Sequence, residues 1–283
     1  MRRARRVRVA YWLLIPGLVW LLFFYVIPTV SMLSISLQEG SPERGFEFTW
    51  NLSIYPEVLA RNSVQLLRSG LYGVIVTIAT MVIAYPLAYT IAFRGGRWKN
   101  VLLFMVILPF FVSFIIRTLE WKFLLGDEGI VLGTLKDWGV LGPGYYLLGR
   151  PIAVLGGLVY NFLPFMALPL YVALEKIDRS LLDAATDLYS SRASAFWRVT
   201  FRLSLPGVFA GSLLTFIPAV GDFINAEFLG GPDTTMIGNV IQLEYLTNND
   251  YPEAAALSFV LMAGILLAVT LYARILGTEE LTG

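Results

Sequence analysis

The 283-residue chain is 57% hydrophobic and only 14% charged, and its aromatic fraction equals its charged fraction. Soluble domains sit near about 45–50% apolar and about 25% charged, and disorder needs low hydrophobicity with high charge, so neither class fits. Zero cysteines and zero histidines exclude disulfides, thiol catalysis and the commonest metal ligand. The composition is that of an integral membrane protein.

Six uncharged runs follow in chain order. Val9–Leu37 covers 29 residues, Ser69–Phe93 25, Val101–Ile116 16, Pro151–Leu174 24, Leu203–Gly221 19 and Ala254–Ala273 20. A membrane-crossing helix needs about 20 largely apolar residues. The third run reaches that length only by taking in Arg117, with Glu120 beyond it. The first follows the basic stretch MRRARRVRV, but it is longer than a signal-peptide core and lacks a small-residue cleavage site, so it reads as a retained span. No alternating ten-residue segments suggest a barrel. The expected fold is an all-α integral membrane protein with six transmembrane helices. Pro16, Pro28, Pro86, Pro109, Pro164, Pro169 and Pro218 fall inside the expected helices, which bends them.

With the N-terminus inside, 14 of the 21 basic residues lie on the inner side with six of the 20 acidic ones, as the positive-inside rule requires. The split gives +8 inside and −7 outside although the chain carries only +1. A negative outer mouth would concentrate cations; alternatively, topology alone removes basic residues from that side. Both termini then face the cytoplasm. The domain reading is a basic N-terminus over 1–8, a six-helix transmembrane domain over 9–276 and a tail over 277–283.

The outer segments carry short pieces. Residues 38–68 hold a turn-like Glu39–Gly45 and an aromatic stretch suited to the interface. Residues 120–150 are punctuated by Gly126, Gly129, Gly133, Gly139, Gly142 and Gly144, and 222–253 hold a Gly-Gly-Pro-Asp turn before a short helix. No Walker A or Rossmann glycine pattern is present, so any ATP must be bound by another chain.

Residues 175–204, between the fourth and fifth spans, are too polar to cross a membrane. Ser180 and Asp183 fit a capping box, with Asp178 as a competing N-cap. Leu181, Ala184, Ala185 and Leu188 share one helical face. After a break near Ser190, Phe196, Val199 and Leu203 repeat at helical spacing, with Trp197 and Phe201 beside them. Two short amphipathic helices are expected.

This loop resembles the signature of inner-membrane permeases of bacterial ABC importers, E-A-A, three residues, glycine, nine residues, I-x-L-P. Asp183-Ala184-Ala185 matches its start, and Val199 and Phe201 take the I and L positions. Tyr189 stands where the glycine is expected and Arg202 where the proline is. The resemblance implies that the loop receives a coupling helix from an ATPase subunit. Leu181, Ala185, Leu188 and Phe196 would then hold the fold or accept that helix, with Asp183, Asp187 and Arg192 at the polar rim. Residues 108–133, 157–188 and 218–241 extend the likeness to the first permease subunit of spermidine/putrescine importers. It implies a second permease subunit, two copies of a cytoplasmic ATPase, an outer substrate-binding protein and a lipid bilayer as partners, with no nucleic acid. It places ATP and magnesium on the ATPase, with no cofactor on this chain, in a bacterial inner membrane. Related permeases import other small cations, amino-acid-like compounds or complexed metal ions. Readings outside the family are a stand-alone ion-coupled transporter, which calls for repeated broken-helix halves not visible here, and a membrane enzyme, for which no motif speaks.

Several residues are candidates for the passage. Asp222 lies about 24 Å up a helix from Pro206 and Glu227 about 31 Å, against a hydrocarbon core of about 30 Å. Asp222 either lines a cation passage or makes structural hydrogen bonds; Glu227 is the weaker candidate. The resemblance places Asp222, Glu227 and Glu120 in stretches where acids and aromatics guide amines. Arg117 and Glu120 are spaced to pair, while Glu120 beside Trp121 would suit an amine-attracting mouth. Tyr160 and Asn161 interrupt the fourth run, either facing a cavity or, for Asn161, tying two helices together.

Overall fold

The fold is described from a computed structural model, in which residues 2–188 and 191–276 are described. Tyr189 and the tail over 277–283 lie outside the described residues. In chain order the elements are α1 (Arg2–Leu21), a wide turn over Leu22–Val26, α2 (Ile27–Ser36), β1 (Gln38–Ser41), β2 (Gly45–Phe48), α3 (Ile54–Arg61) and α4 (Ser63–Arg94). Then come α5 (Lys99–Ile107), a 3-10 turn over Leu108–Phe111, α6 (Phe114–Leu125), α7 (Ile130–Asp137) and α8 (Pro151–Glu175). The segment after α8 gives α9 (Arg179–Leu188), α10 (Arg192–Ala195), a wide turn over Phe196–Thr200 and α11 (Phe201–Leu203). The chain ends with α12 (Leu205–Val220), α13 (Ile224–Leu229), α14 (Ile237–Leu243) and α15 (Tyr251–Leu276).

Among the described residues, four helices are long and apolar enough to cross a membrane: Trp12–Ser36, Ser63–Arg94, Pro151–Glu175 and Tyr251–Arg274. The number rises to six if two bent pairs each count as one span. One pair joins Gly96–Phe111 to Phe114–Asp137 at 94°, the other Arg192–Leu203 to Leu205–Val220 at 63°. The first break falls on the run that is shortest in the sequence. Pro109 opens the 3-10 turn there and Val112 is extended, so the helical ladder stops where a proline cannot donate to it. Pro206 stands in the first turn of α12, just past the second break. Pro16, Pro86, Pro164, Pro169 and Pro218 sit inside helices as expected, whereas Pro28 falls in the first turn of α2.

The described residues form two compact units. One is the chain up to Asn62 with Ile241–Met262; the other is Ser63–Val240 with the chain from Ala263. In the first unit, none of the most apolar window of the Trp12–Ser36 helix is buried. The segment expected as a turn followed by an interfacial stretch forms an antiparallel hairpin, with Gln38 opposite Phe48 and Ser41 opposite Gly45. Gly45 closes it at φ +85°, a conformation that a side chain resists. Phe46 packs edge-on against Tyr251.

In the second unit α4, α8 and α12 pack together around two apolar clusters. One includes Tyr72, Val76, Val154, Leu158 and Leu229, the other Ala84, Ile91, Met166, Leu170 and Val208. Small residues let the backbones approach. A Cβ on Gly207 would come within 2.5 Å of Ala173 Cβ and 2.7 Å of the Pro169 carbonyl. Any larger residue there would separate α12 from α8.

Candidate functional site

The chain leaves α12 at Val220 and re-enters α13 at Ile224, and Asp222 lies between them. Its Oδ1 accepts the backbone N–H of Asn225 at 2.8 Å, and Oδ2 accepts the Asn225 side-chain amide at 3.2 Å. Asn225 Oδ1 in turn accepts Asn161 Nδ2 from α8 at 3.0 Å, and the same Nδ2 lies 3.3 Å from Thr118 Oγ1 on α6. All four residues are buried. Gly157 makes room for this line, since a Cβ there would stand 2.7 Å from Asn225 Oδ1. These hydrogen bonds hold α6, α8 and α13 in register, while Asn161 Oδ1 has no hydrogen-bond partner among the described residues. Asn161 thus ties α8 to α6 and α13. Sequence reasoning missed Asn225 and Thr118; the three-residue step from Asp222 to Asn225 is a capping spacing that could have pointed to the first.

Arg117, beside Thr118, is buried. The expected pairing with Glu120 does not form. The guanidinium lies 5.6 Å from the Phe110 ring and 5.5 Å from the Phe114 ring, and its Nε and Nη1 have no hydrogen-bond partner among the described residues. The aromatic faces around the break took the charge that spacing alone assigned to Glu120. Glu120 itself is exposed. Trp121 is half-buried and meets Tyr160 with ring centroids 5.4 Å apart.

Glu227 stands apart from the buried line. It is exposed, accepts Asn239 Nδ2 at 3.2 Å and borders an open pocket of 240 Å³ with Gly230, Gly231, Pro232, Thr235 and Asn239. The structure therefore separates the two acids: Asp222 is enclosed and doubly bonded, Glu227 open. Among the described residues, Glu244, Asp250 and Glu253 bring carboxylate oxygens within 4.8 Å of one another, but Arg61 donates twice to Glu253, at 2.9 and 3.0 Å.

In the loop after α8, Asp178 caps α9 by accepting the Ser180 N–H at 2.9 Å, the competing N-cap of the sequence reading. The same Ser180 hydrogen bonds hold the Asp178 carboxyl below its ordinary value. Ser191 caps α10 through Ser194 N at 3.2 Å. The apolar stripe expected on one face is divided. Ala185 is buried, and Leu182 and Phe196 pack on the core, where Phe196 meets Tyr85 edge-on at 5.6 Å. Leu181, Ala184, Leu188 and Trp197 are exposed, Leu188 by 79%. Asp183, Asp187 and Arg192 lie on exposed positions of the same helices. Lys99 pairs with Glu175 and lies over the Tyr171 ring, which fixes the end of α8 just before the loop.

Residues 82–277 match the family of binding-protein-dependent transport system inner membrane components. The chain belongs to this family. It is a transmembrane permease subunit of an ABC importer, a multi-pass protein of the bacterial inner membrane without an ATPase function of its own. The permease is 37% identical over 256 residues to the spermidine/putrescine transport system permease protein PotB of Haemophilus influenzae, covering 90% of each chain. To PotB of Escherichia coli K12 it is 34% identical over 253 residues, covering 88% of this chain and 92% of that one. Its fold is similar to a chain in the crystal structure of a bacterial ABC transporter for the acidic polysaccharide alginate, with a TM-score of 0.72 and 17% identity, covering 100% of this chain and 99% of that chain.

Proposed function

We propose that the permease forms half of the translocation passage of an ATP-driven importer for polyamines of the spermidine/putrescine class. The observation that carries this reading is the 37% identity with the Haemophilus influenzae spermidine/putrescine permease over 90% of both chains. The acidic outer side and the exposed carboxylates of Glu120 and Glu227 agree with a cationic cargo.

In this reading each bent pair contributes one span, the second through Leu205–Val220 with Arg192–Leu203 left in the cytoplasmic loop, which gives six helices with both termini cytoplasmic. The division into an N-terminus over 1–8, a membrane domain over 9–276 and a tail over 277–283 follows. A second permease subunit completes the passage, two ATPase copies bind ATP and magnesium, and a binding protein delivers substrate outside. The exposed row Leu181, Ala184, Leu188 and Trp197 receives the ATPase, while Ala185, Leu182 and Phe196 anchor the loop to the bundle. The Asp222–Asn225–Asn161–Thr118 line buttresses the outer half, and Glu120, Trp121, Tyr160 and Glu227 supply acids and aromatic faces along the route, where an ammonium group is attracted to both.

The test is purification of the complete importer and reconstitution into liposomes with ATP inside and binding protein outside. Accumulation of labelled spermidine or putrescine that requires ATP and binding protein is the expected result. ATP-dependent uptake of another small solute with none of either polyamine would overturn the substrate assignment.

A further inference from the structure

We propose that Tyr85 on α4 is a positioning residue for energy coupling. Its hydroxyl pins Ser204, the joint between the loop after α8 and α12, so that a push on the loop moves α12 instead of being lost in the bend. The inference deepens the docking reading given above and rests on it for the source of the push.

The joint begins with a proline. Pro206 has no N–H, so the helical bond from residue 206 to the Arg202 carbonyl cannot form. The chain bends by 63° between Arg192–Leu203 and Leu205–Val220, and Ser204 serves both sides of that bend. Its N–H reaches back to the Thr200 carbonyl at 3.0 Å, while its carbonyl accepts the Gly207 N–H at 2.9 Å and the Val208 N–H at 3.0 Å. Its hydroxyl donates to the Phe201 carbonyl at 2.9 Å. A serine hydroxyl carries one proton, so in the 2.8 Å bond between Ser204 Oγ and the Tyr85 hydroxyl the donor is Tyr85. Ser204 is fully buried and Tyr85 nearly so, which makes the bond costly to leave unmade.

The Tyr85 ring also touches both ends of the wide turn. It meets Phe196 edge-on with ring centroids 5.6 Å apart, and Phe201 at 5.8 Å. Tyr89, one turn further along α4, meets Phe196 at 6.1 Å. These contacts set an angle that the interrupted ladder leaves free. A hinge at the end of an element absorbs changes of φ and ψ; tied to α4 through Tyr85, this one passes the movement on. Because α9 packs against the wide turn, a push on its exposed Leu188 reaches Phe196 and Tyr85 before it reaches α12.

The test uses the complete importer in liposomes and reads two ratios. One is putrescine imported per ATP hydrolysed. The other is hydrolysis with the cargo-loaded binding protein over hydrolysis without it, which requires no knowledge of the cargo. Tyr85→Phe keeps the ring contacts and removes only the hydroxyl. ATPase recovery and basal hydrolysis should persist while both ratios fall about fivefold, the factor that one net hydrogen bond supplies. Ser204→Ala should lower them as well, and the double variant should be no worse than the more affected single one, since both remove the same bond. A purely structural hydroxyl would lower the thermal midpoint or the yield and leave the ratios of the intact complex unchanged. That result, or losses that multiply in the double variant, would overturn the proposal. If putrescine is not carried, the polyamine assignment falls and the stimulation ratio decides alone. Full ATPase retention by Leu188→Ser removes the docking reading, whereas the role of Tyr85 stands or falls on the ratios and their non-additivity.

Discussion

Asn225 occupies both oxygens of Asp222, its backbone N–H bonding Oδ1 at 2.8 Å and its side-chain amide Oδ2 at 3.2 Å. A carboxylate so engaged fixes the turn between α12 and α13, and burial closes it off from solvent. Depth along the helix ranks Asp222 above Glu227 as a passage residue; the bonding pattern reverses that order. Asp222→Asn should therefore cost about 1–2 kcal/mol of stability through the loss of a charge-assisted bond, lowering the yield and thermal midpoint of the complex with little change in KM. Glu227→Gln should do the opposite, raising KM at unchanged stability. A raised KM with an unchanged midpoint for Asp222→Asn would put Asp222 back in the passage.

Arg117 gives a second contrast. Its guanidinium is buried over Phe110 and Phe114 with Nε and Nη1 unpartnered. Contact with aromatic faces returns about 0.5–2 kcal/mol, less than the several kcal/mol that desolvating an ion costs. Arg117→Met keeps the length and apolar contact of the side chain and removes the charge, so it should raise the thermal midpoint of the detergent-solubilised complex by a few degrees, about 1 kcal/mol or more. A lowered midpoint would mean that the charge is satisfied in the assembled importer.

These two cases show what the sequence carries. A bilayer demands uninterrupted apolar runs, so the four long apolar helices are visible one by one, and the break in the third run falls where Val101–Ile116 is short and Pro109 interrupts it. The buried line is different. Asn161 and Asn225 are 64 residues apart and Thr118 and Asn225 107 apart, and periodicity reports only neighbours within a few turns. Spacing likewise allowed Arg117 and Glu120 to pair without revealing that Phe110 across the helix break and Phe114 on the same helix would compete. On α9 the helical pattern located Leu181, Ala184, Ala185 and Leu188 together, but only the position of the core decides that Ala185 is covered and Leu188 is not.

The proposed topology is open to labelling at exposed positions. Ser191 and Glu128 are both exposed and fall on opposite sides of the membrane in the six-span reading. In intact cells an impermeant thiol reagent should modify Glu128→Cys and spare Ser191→Cys, which should react only after permeabilisation. Modification of Ser191→Cys in sealed cells would invert the orientation.

Acid should loosen the start of α9. Ser180 hydrogen bonds hold the Asp178 carboxyl below its ordinary value, so its folded pKa lies under the unfolded one. The contribution of the cap is complete above the unfolded value and disappears as pH falls through the folded value. Proteolytic cleavage at Arg179 in the purified complex should accelerate on acidification below the usual carboxylate range, after correction for the protease's own pH profile. Asp178→Asn, which retains a neutral cap, should flatten that dependence. An unchanged slope would remove Asp178 as the group responsible.

The divided face of the inner loop separates folding from docking. Ala185 is 3% exposed, whereas Leu188 is 79% exposed and Asp187 lies on the exposed side. Ala185→Asp forces a carboxylate into a packed contact without a partner and should cost several kcal/mol, reducing the amount of intact permease. Leu188→Ser removes apolar surface that no described residue of this chain covers. It should leave the permease folded while weakening ATPase recovery on the purified membrane complex, by roughly 1–2 kcal/mol if the side chain is buried on docking. Asp187→Ala should change recovery least, since a rim charge is largely solvated in both states. The measurement is ATPase retained per permease after washing, together with substrate-stimulated hydrolysis. Full retention by Leu188→Ser would show that the ATPase docks elsewhere on the inner side.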